Sequence, residues 1–182
     1  LSVDGDLIPI TLGSEIDGAF AEYLSVRGSE AFVIDSPLDD ADLASFPCSY
    51  STAEGLLQRA QVGAERVLIT GASGGVGSAA VQLAAMRGAS VVAGTTGAHA
   101  DDVKRIGAAD TIDRASDLVD QLGDSSIDVV IDLVGGPHFE SLLRVLRPGG
   151  RYAIAGAVAG AHVALDLRDL YLKDLTFYGC TF

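Results

Sequence analysis

One glycine-rich stretch, lying between an apolar run and a helical stripe, constrains the fold of this chain more than any other feature. Residues 67–69 are Val, Leu and Ile, and such a run is typical of a strand buried on both faces. From Val76 onward, apolar residues recur every third or fourth position until Gly88, which predicts a helix that ends there. Between the strand and the helix stand Gly71, Gly74, Gly75 and Gly77. Because glycines let the backbone approach an anion and a helix N-terminus attracts one, the stretch predicts a pyrophosphate cradle.

Three other motifs contain glycines in a similar arrangement. Residues 71–75 match the Gly-x-Ser-x-Gly nucleophile elbow, and His99, His138 and His162 follow, but the glycines around Ser73 exceed what an elbow needs. The short-chain dehydrogenase pattern requires a Tyr with a Lys four residues later, and none of the five tyrosines has one. A P-loop requires Lys-Ser or Lys-Thr after its glycines, which this stretch lacks. A glycine-rich turn without a ligand remains an alternative.

Composition restricts the classes of partner. A chain of 182 residues suits one domain, or one domain plus an appendage, and 48% hydrophobic residues favour a compact α/β protein. The net charge of −13, with no stripe of Lys or Arg, argues against nucleic-acid binding. No apolar run reaches the roughly 20 residues of a membrane span, so no membrane partner is expected. Two cysteines cannot supply a disulfide framework, which favours a reduced, cytoplasmic location.

Strands and helices alternate along the second part of the chain. Predicted strands cover residues 67–69, 90–95, 110–112, 127–134, 151–155 and 175–181, and predicted helices lie between them, at 100–106, 115–122 and 137–146 among others. This alternation predicts a parallel sheet of about six strands with right-handed crossovers. In such sheets a ligand lies outside the carboxyl ends of the strands, near the point where the strand order reverses. Small residues occupy those ends, at 71–77, 94–96, 134–136 and 155–157.

The first part of the chain is less regular. Residues 18–26 alternate as a strand does, residues 32–34 form a second short strand, and helices are predicted at 39–46 and 51–61. Short strands of this kind bury little core by themselves. We therefore expect residues 1–45 to be the edge of a domain that is otherwise absent, and residues 46–182 to be the main domain. The chain begins without Met, which favours an excised piece of a longer protein.

Several motifs, taken in order and spacing, resemble the medium-chain dehydrogenase/reductase superfamily. They are Gly18-Ala-Phe-Ala-Glu-Tyr, Cys48-x-x-x-Thr52-Ala, Gly71-Ala-Ser-Gly-Gly-Val-Gly, Ile106-Gly-Ala-Ala-Asp110, Val134-Gly-Gly and Leu146-Arg-Pro-Gly-Gly150. The superfamily includes zinc-containing alcohol dehydrogenases and zinc-free quinone reductases. The resemblance implies a Rossmann-type doubly wound cofactor-binding domain, with residues 1–45 left from a GroES-like catalytic domain.

The resemblance also implies an activity in the full-length parent. This is hydride transfer between NAD(P)H and a small-molecule substrate, namely an alcohol, aldehyde or ketone, as in zinc-type alcohol dehydrogenases. A zinc-free quinone or enoyl reductase is the alternative enzyme, and a nucleotide-binding module without turnover is the alternative outside enzymes. The isolated chain is expected to be inactive, because most of a substrate pocket is not here.

Site residues follow from the resemblance position by position. The pyrophosphate would be held by Ser73, Gly74, Gly75 and Val76. The nicotinamide would be flanked by Val134, Gly135, Ala155, Gly156 and Ala157. Thr52 would lie near the nicotinamide side, although its spacing suits a helix N-cap equally well.

Cys48 is the one candidate metal ligand in the chain. In the zinc alcohol dehydrogenases a catalytic zinc ligand stands four residues before a Thr-Ala or similar pair, as Cys48 stands before Thr52. A catalytic zinc needs three protein ligands, and the other two would lie upstream of this chain. The resemblance therefore implies zinc in the full-length parent, with a buried structural cysteine as the alternative.

The end of the second strand bears on the choice between NAD and NADP. NAD sites place an Asp or Glu there, whereas this strand ends in Thr95 and Thr96, and the next acid is Asp101. Threonine hydroxyls can donate to a 2′-phosphate that a carboxylate would repel. His99 aligns with a Lys of the NADP-using quinone reductases, although it also fits a plain surface residue. These residues favour NADP over NAD.

The last predicted strand favours a homodimer. Residues 175–182 carry large apolar side chains on both faces, and the outer edge of a last strand has unpaired N–H and C=O groups. Antiparallel pairing of two such edges about a two-fold axis would satisfy them, and many members of the superfamily join in this way. The alternative is that a missing C-terminal segment covers the edge.

Overall fold

The computed structural model describes residues 11–181 and, before them, the backbone of two short strands, β1 (Ser2–Val3) and β2 (Asp6–Leu7). The chain folds as two compact units, Leu1–Asp39 and Asp40–Phe182. The assignment of residues 1–45 to a catalytic domain stays a prediction about the full-length protein. Among the described residues, no helix has the length and apolar character needed to cross a membrane.

The first unit contains little regular structure. β1 and β2 pair antiparallel, and a short 3₁₀ turn covers Gly28–Glu30. The strands expected at 18–26 and 32–34 are wrong, because the backbone there pairs with no other strand. Phe20 and Val33 are almost fully exposed. Alternating side chains indicate a strand only where a second strand is available to pair with it, and the described part of this unit supplies none at these residues.

A single long helix, α1 (Asp40–Arg59), replaces the two helices expected at 39–46 and 51–61. Pro47 lies inside it, although proline lacks the N–H that bonds to the preceding turn. The helix continues because its later turns bury Leu56 and Leu57 against the second unit's core, and because packing of this kind outweighs one missing hydrogen bond.

The second unit is built on a parallel sheet of six strands, as the sequence predicts. In chain order the strands are β3 (Arg66–Thr70), β4 (Ser90–Thr95), β5 (Asp110–Asp113), β6 (Ile127–Asp132), β7 (Leu146–Ile154) and β8 (Thr176–Gly179). The other helices are α2 (Gly75–Met86), α3 (Ala100–Arg105), α4 (Leu118–Leu122), α5 (Phe139–Val145) and α6 (Leu167–Leu172). Across the sheet the order is β5-β4-β3-β6-β7-β8, which is the doubly wound topology.

Several elements of this unit differ from the prediction. β7 begins at Leu146 instead of residue 151, because Pro148, Gly149 and Gly150 form an irregularity within the strand. Pro137 lies in a 3₁₀ turn, Gly136–His138, and α5 begins only after that turn. α6 was not predicted from the sequence, and its N-cap residue Asp166 accepts a hydrogen bond from the Arg168 amide.

Helices cover both faces of the sheet. On one face, small residues let α2 lie close to the strands, and Ala80 and Ala84 are fully buried there together with Leu56 of α1. On the other face, α4 and α5 pack around an aromatic group in which the Phe139 and Tyr152 rings meet edge-on, with 5.4 Å between centroids. Burial on both faces explains why the centres of the inner strands are apolar.

Candidate functional site

The order of the strands reverses between β3 and β6. From β3 the chain moves to β4 and β5 on one side, and then to β6, β7 and β8 on the other. In a doubly wound sheet, the crevice at the carboxyl ends of the two strands beside this reversal is the ligand site. A cavity of about 240 Å³ lies there, and its lining includes Gly71, Gly94 and Gly135.

The glycines between β3 and α2 have different tasks. Gly71 has a φ of +63°, a backbone conformation that favours glycine. A Cβ on Gly77 would lie 2.1 Å from the Gly71 carbonyl oxygen, so residue 77 must be glycine for the turn to close. A Cβ on Gly74 would meet that same oxygen at 3.4 Å, an ordinary contact, and nothing else within 4 Å in the described chain. The fold therefore does not itself require glycine at position 74.

The start of α2 is open to a ligand. Gly74 is the N-cap, and no side chain of the described residues caps the helix. Ser73 and Gly75 are exposed, and Val76 is half-buried. Uncapped amides at the N-terminus of a 12-residue helix, behind a turn that carries no side chain at Gly74, fit a bound pyrophosphate.

The loops after β6 and β7 lie against each other beside this turn. A Cβ on Gly156 would lie 2.4 Å from the Leu133 carbonyl oxygen, and one on Gly135 would lie 3.2 Å from the Ala157 Cα. The predicted nicotinamide residues, Val134, Gly135, Ala155, Gly156 and Ala157, therefore lie in two loops that are in backbone contact. Their contact with a cofactor stays a prediction.

Thr52 and Cys48 lie one turn apart on α1. Thr52 is buried and is the thirteenth residue of the helix, so the alternative that it is an N-cap is wrong. Cys48 is exposed. Within the part of the chain that the structure describes, no group of three or more His, Cys, Asp or Glu side chains is arranged to hold a metal ion. These residues alone do not fit a zinc ion, and the role of Cys48 stays a prediction.

The carboxyl end of β4 holds a polar atom without a partner. Thr95 is 3% exposed, and its hydroxyl oxygen makes no hydrogen bond within the described residues. Thr96, next to it, is half-buried. His99 is largely exposed, and its Nδ1 lies 3.6 Å from an Asp102 carboxylate oxygen. An acid beside His99 makes it a weaker candidate for binding a phosphate than the sequence suggests.

Arg114, which directly follows β5, is not among the site residues predicted from the sequence. Its backbone N–H donates to the Thr95 carbonyl over 3.1 Å, and the residue is part of the cavity lining. No acid in residues 11–181 forms an ion pair with its guanidinium. Its position in the sequence could have indicated this role, because the residue that follows β5 lies beside the end of β4 when the two strands pair in parallel.

A buried carboxylate at the end of β6 was also missed. Asp132 is fully buried and lines the cavity together with Thr70. Its oxygens accept hydrogen bonds from the hydroxyls of Thr70, over 2.6 Å, and Tyr152, over 2.5 Å. Burial of the Tyr152 hydroxyl, together with its bond to Asp132, raises the pKa of that phenol far above its usual value.

Several known proteins are similar to this chain in sequence and in fold. A family model described as zinc-binding dehydrogenase matches residues 75–182. Acryloyl-coenzyme A reductase of Metallosphaera sedula is 34% identical over 168 residues, which cover 91% of this chain and 50% of that protein. Human quinone oxidoreductase is 30% identical over 177 residues, which cover 92% and 53%.

A solved structure agrees with these matches. A Sinorhizobium meliloti protein assigned as an alcohol dehydrogenase is 46% identical, with a TM-score of 0.88 over 93% of this chain and 49% of its own. The chain thus spans about half the length of the curated relatives it matches. Since the family model covers more than half of the residues, the chain belongs to the zinc-binding dehydrogenase family of the medium-chain dehydrogenase/reductase superfamily, as its motifs predict.

Proposed function

We propose that this chain is the nicotinamide-cofactor half of an oxidoreductase, and that residues 1–45 belong to its catalytic domain. The observation that carries the proposal is the uncapped start of α2, set behind a glycine turn at the reversal of the strand order. The bound cofactor would supply or accept the hydride. The chain would hold the pyrophosphate at residues 73–76 and orient the nicotinamide between the loops at 134–135 and 155–157.

The proposed substrate of the full-length protein is an alcohol, aldehyde or ketone. The Sinorhizobium meliloti structure assigned as an alcohol dehydrogenase supports this class. The second candidate is a zinc-free quinone or enoyl reductase, which the similarity to acryloyl-coenzyme A reductase and quinone oxidoreductase favours. In the zinc-type enzyme Cys48 would be one of three ligands. A cytoplasmic location and the inactivity of the isolated chain stay predictions.

We further propose that the chain prefers NADPH to NADH. β4 ends without an acid, and Thr95 and Thr96 offer hydroxyls there. The backbone N–H of Arg114 donates to the Thr95 carbonyl, and the Arg114 guanidinium, which has no ion-pair partner in the described chain, would add a positive charge that a 2′-phosphate can use.

Replacement of Arg114 tests this preference. We expect Arg114→Gln to lower NADPH affinity by about 10-fold or more, the usual effect of losing one charge-assisted hydrogen bond, and to change NADH affinity less than about twofold. Isothermal titration calorimetry of the wild-type chain and of Arg114→Gln, each with NADPH and with NADH, gives the four dissociation constants. Arg105→Gln is the matched control, because Arg105 is exposed on α3 and pairs with Asp102. Equal affinities of the wild-type chain for the two cofactors, or a preference for NADH, would contradict the proposal.

We propose that two chains pair through β8. This strand is the last of the sheet, and within the described residues only β7 pairs with it. Phe177 packs on the α5 side and Tyr178 on the α1 side, so both faces are covered and the free backbone edge remains. Sedimentation at micromolar concentration should give twice the chain mass of 18.7 kDa, and Tyr178→Pro should lower it. A monomer whose sedimentation Tyr178→Pro leaves unchanged would exclude this edge.

A further inference from the structure

The carboxylate of Asp132 joins the carboxyl ends of three neighbouring strands. Asp132 is the last residue of β6. It accepts from Thr70, the last residue of β3, and from Tyr152, two positions before the end of β7. β3 and β7 lie on either side of β6, so one buried side chain links all three strands at the edge where the ligand crevice lies.

The same side chain also sets the course of the loop after β6. One Asp132 oxygen accepts from the backbone N–H of Val134, over 2.9 Å, and from that of Gly135, over 3.1 Å. The N–H of Leu133 donates to the Thr70 hydroxyl over 2.9 Å. The amides of three consecutive residues therefore donate to the Asp132–Thr70 pair, and the last of the three, Gly135, has a φ of +63°. Side-chain acceptors therefore hold the start of this loop, with which none of the described strands pairs.

The two other segments at the crevice rest on this loop. The Ala155 N–H donates to the Asp132 carbonyl over 3.2 Å, and the Leu133 carbonyl leaves no room for a Cβ on Gly156. A Cβ on Gly71 would lie 3.2 Å from a Val134 methyl group. A shift of the loop after β6 would therefore move the loop after β7, which it contacts through backbone atoms, more than the glycine turn, which it meets through side-chain atoms.

Stability alone gives no strong reason for a charge at this position. All four partners of the carboxylate donate to it, which matches an ionised group, and no cation of the described chain pairs with it. Buried charges are costly to desolvate, and well-packed apolar side chains often replace buried ionic groups without loss of stability. What an apolar side chain cannot do is hold two backbone amides and two hydroxyls in one arrangement.

We propose that Asp132 is a positioning residue for the nicotinamide half of the dinucleotide, acting through the backbone of residues 133–135. This rests on the proposed function. Asp132 makes the loops after β6 and β7 ready to receive the nicotinamide before it binds, so that binding pays no cost for ordering them. The adenosine half, which would lie toward β4 and β5, does not depend on this network.

Two ligands separate positioning from general stability. NADPH carries both halves of the dinucleotide, and adenosine 2′,5′-bisphosphate lacks the nicotinamide. We expect Asp132→Ala to lower the affinity for NADPH by about 10-fold or more, because two backbone amides lose a charged acceptor. The affinity for the bisphosphate should fall less than about threefold. Asp132→Asn should restore most of the NADPH affinity, because its amide oxygen can accept the same bonds and its NH₂ can donate to Tyr152.

Asp128→Ala is the matched control. Asp128 lies four residues earlier on β6, accepts from the Arg66 amide over 2.8 Å, and pairs with Arg147, so it bridges the strands at their opposite ends. Its loss should lower the melting temperature without changing the ratio of the two dissociation constants. If Asp132→Ala does not fold, Tyr152→Phe removes one partner only and should change the ratio in the same direction.

The outcomes are distinct. An equal loss of affinity for both ligands, or an unchanged ratio in Asp132→Ala and Tyr152→Phe, would overturn the positioning role while leaving the proposed function intact. A wild-type chain that binds neither ligand would overturn both.

Discussion

We expect the Gly74→Val variant to fold as the wild-type chain does and to lose NADPH binding by about 100-fold or more. The backbone can accept a side chain here, since a Cβ would make one ordinary contact at 3.4 Å within the described residues. An N-cap valine costs about 1 kcal/mol of stability. The same side chain would stand in front of the uncapped amides of α2, where the pyrophosphate must approach them closely, and about 100-fold corresponds to losing 2.7 kcal/mol there.

Calorimetry with NADPH and a thermal melt together decide this prediction. Gly63→Val is the control, because a Cβ on Gly63 meets no atom of the described chain within 4 Å and residue 63 lies before β3. The control should bind NADPH as the wild-type chain does. A Gly74→Val chain that keeps wild-type affinity would show that the cofactor does not bind over this turn.

We expect Gly77→Ala, although a smaller change, to damage the fold itself. Its Cβ would lie 2.1 Å from the Gly71 carbonyl oxygen and 2.8 Å from the Ala72 Cα, and both are backbone atoms that no side-chain rotation can move away. The turn must open and α2 must shift from the sheet. Overpacking of this kind costs about 3 kcal/mol or more, which lowers the melting temperature of a chain of this length by about 6–12 °C.

Differential scanning calorimetry measures the loss. Gly63→Ala adds the same methyl group where a Cβ has free space, and its melting temperature should stay within about 2 °C of the wild-type value, as for surface substitutions. If Gly77→Ala has the melting temperature of the wild-type chain, the turn is not closed as it is in the structure.

The sheet could be predicted from the sequence because its strands are buried on both faces. The resulting apolar runs, such as β3 and β6, stand out against the helical spacing of α2, and glycines mark the ends. Local sequence patterns gave wrong predictions where secondary structure depends on contacts with residues that are distant in sequence. α1 passes through Pro47 because its later turns pack in the core, and residues 18–26 form no strand because no described strand pairs with them.

Most site candidates named from the sequence lie in or beside glycine-rich segments, and the Asp132 network was not among them. The Asp132 network joins residues 62 and 20 positions apart in sequence, and only the strand register brings Thr70, Asp132 and Tyr152 together. In the sequence, an acid at the end of an apolar run indicates only that the strand ends there, and it does not indicate which groups the carboxylate binds. Arg114 was missed for a similar reason. Its neighbour Thr95 is distant in sequence, and the two residues meet only because β4 and β5 pair side by side.

The central claim is that a nicotinamide dinucleotide binds at the reversal of the strand order, over the start of α2. The most direct test is to follow backbone amide resonances of the 18.7 kDa chain by ¹⁵N NMR while NADPH is added. Saturable shifts at residues 74–77, 134–135 and 155–157, reaching an end point at one NADPH per chain and absent in Gly74→Val, are the predicted result. Saturable binding that leaves residues 74–77 unshifted, or no binding at all, would contradict the account.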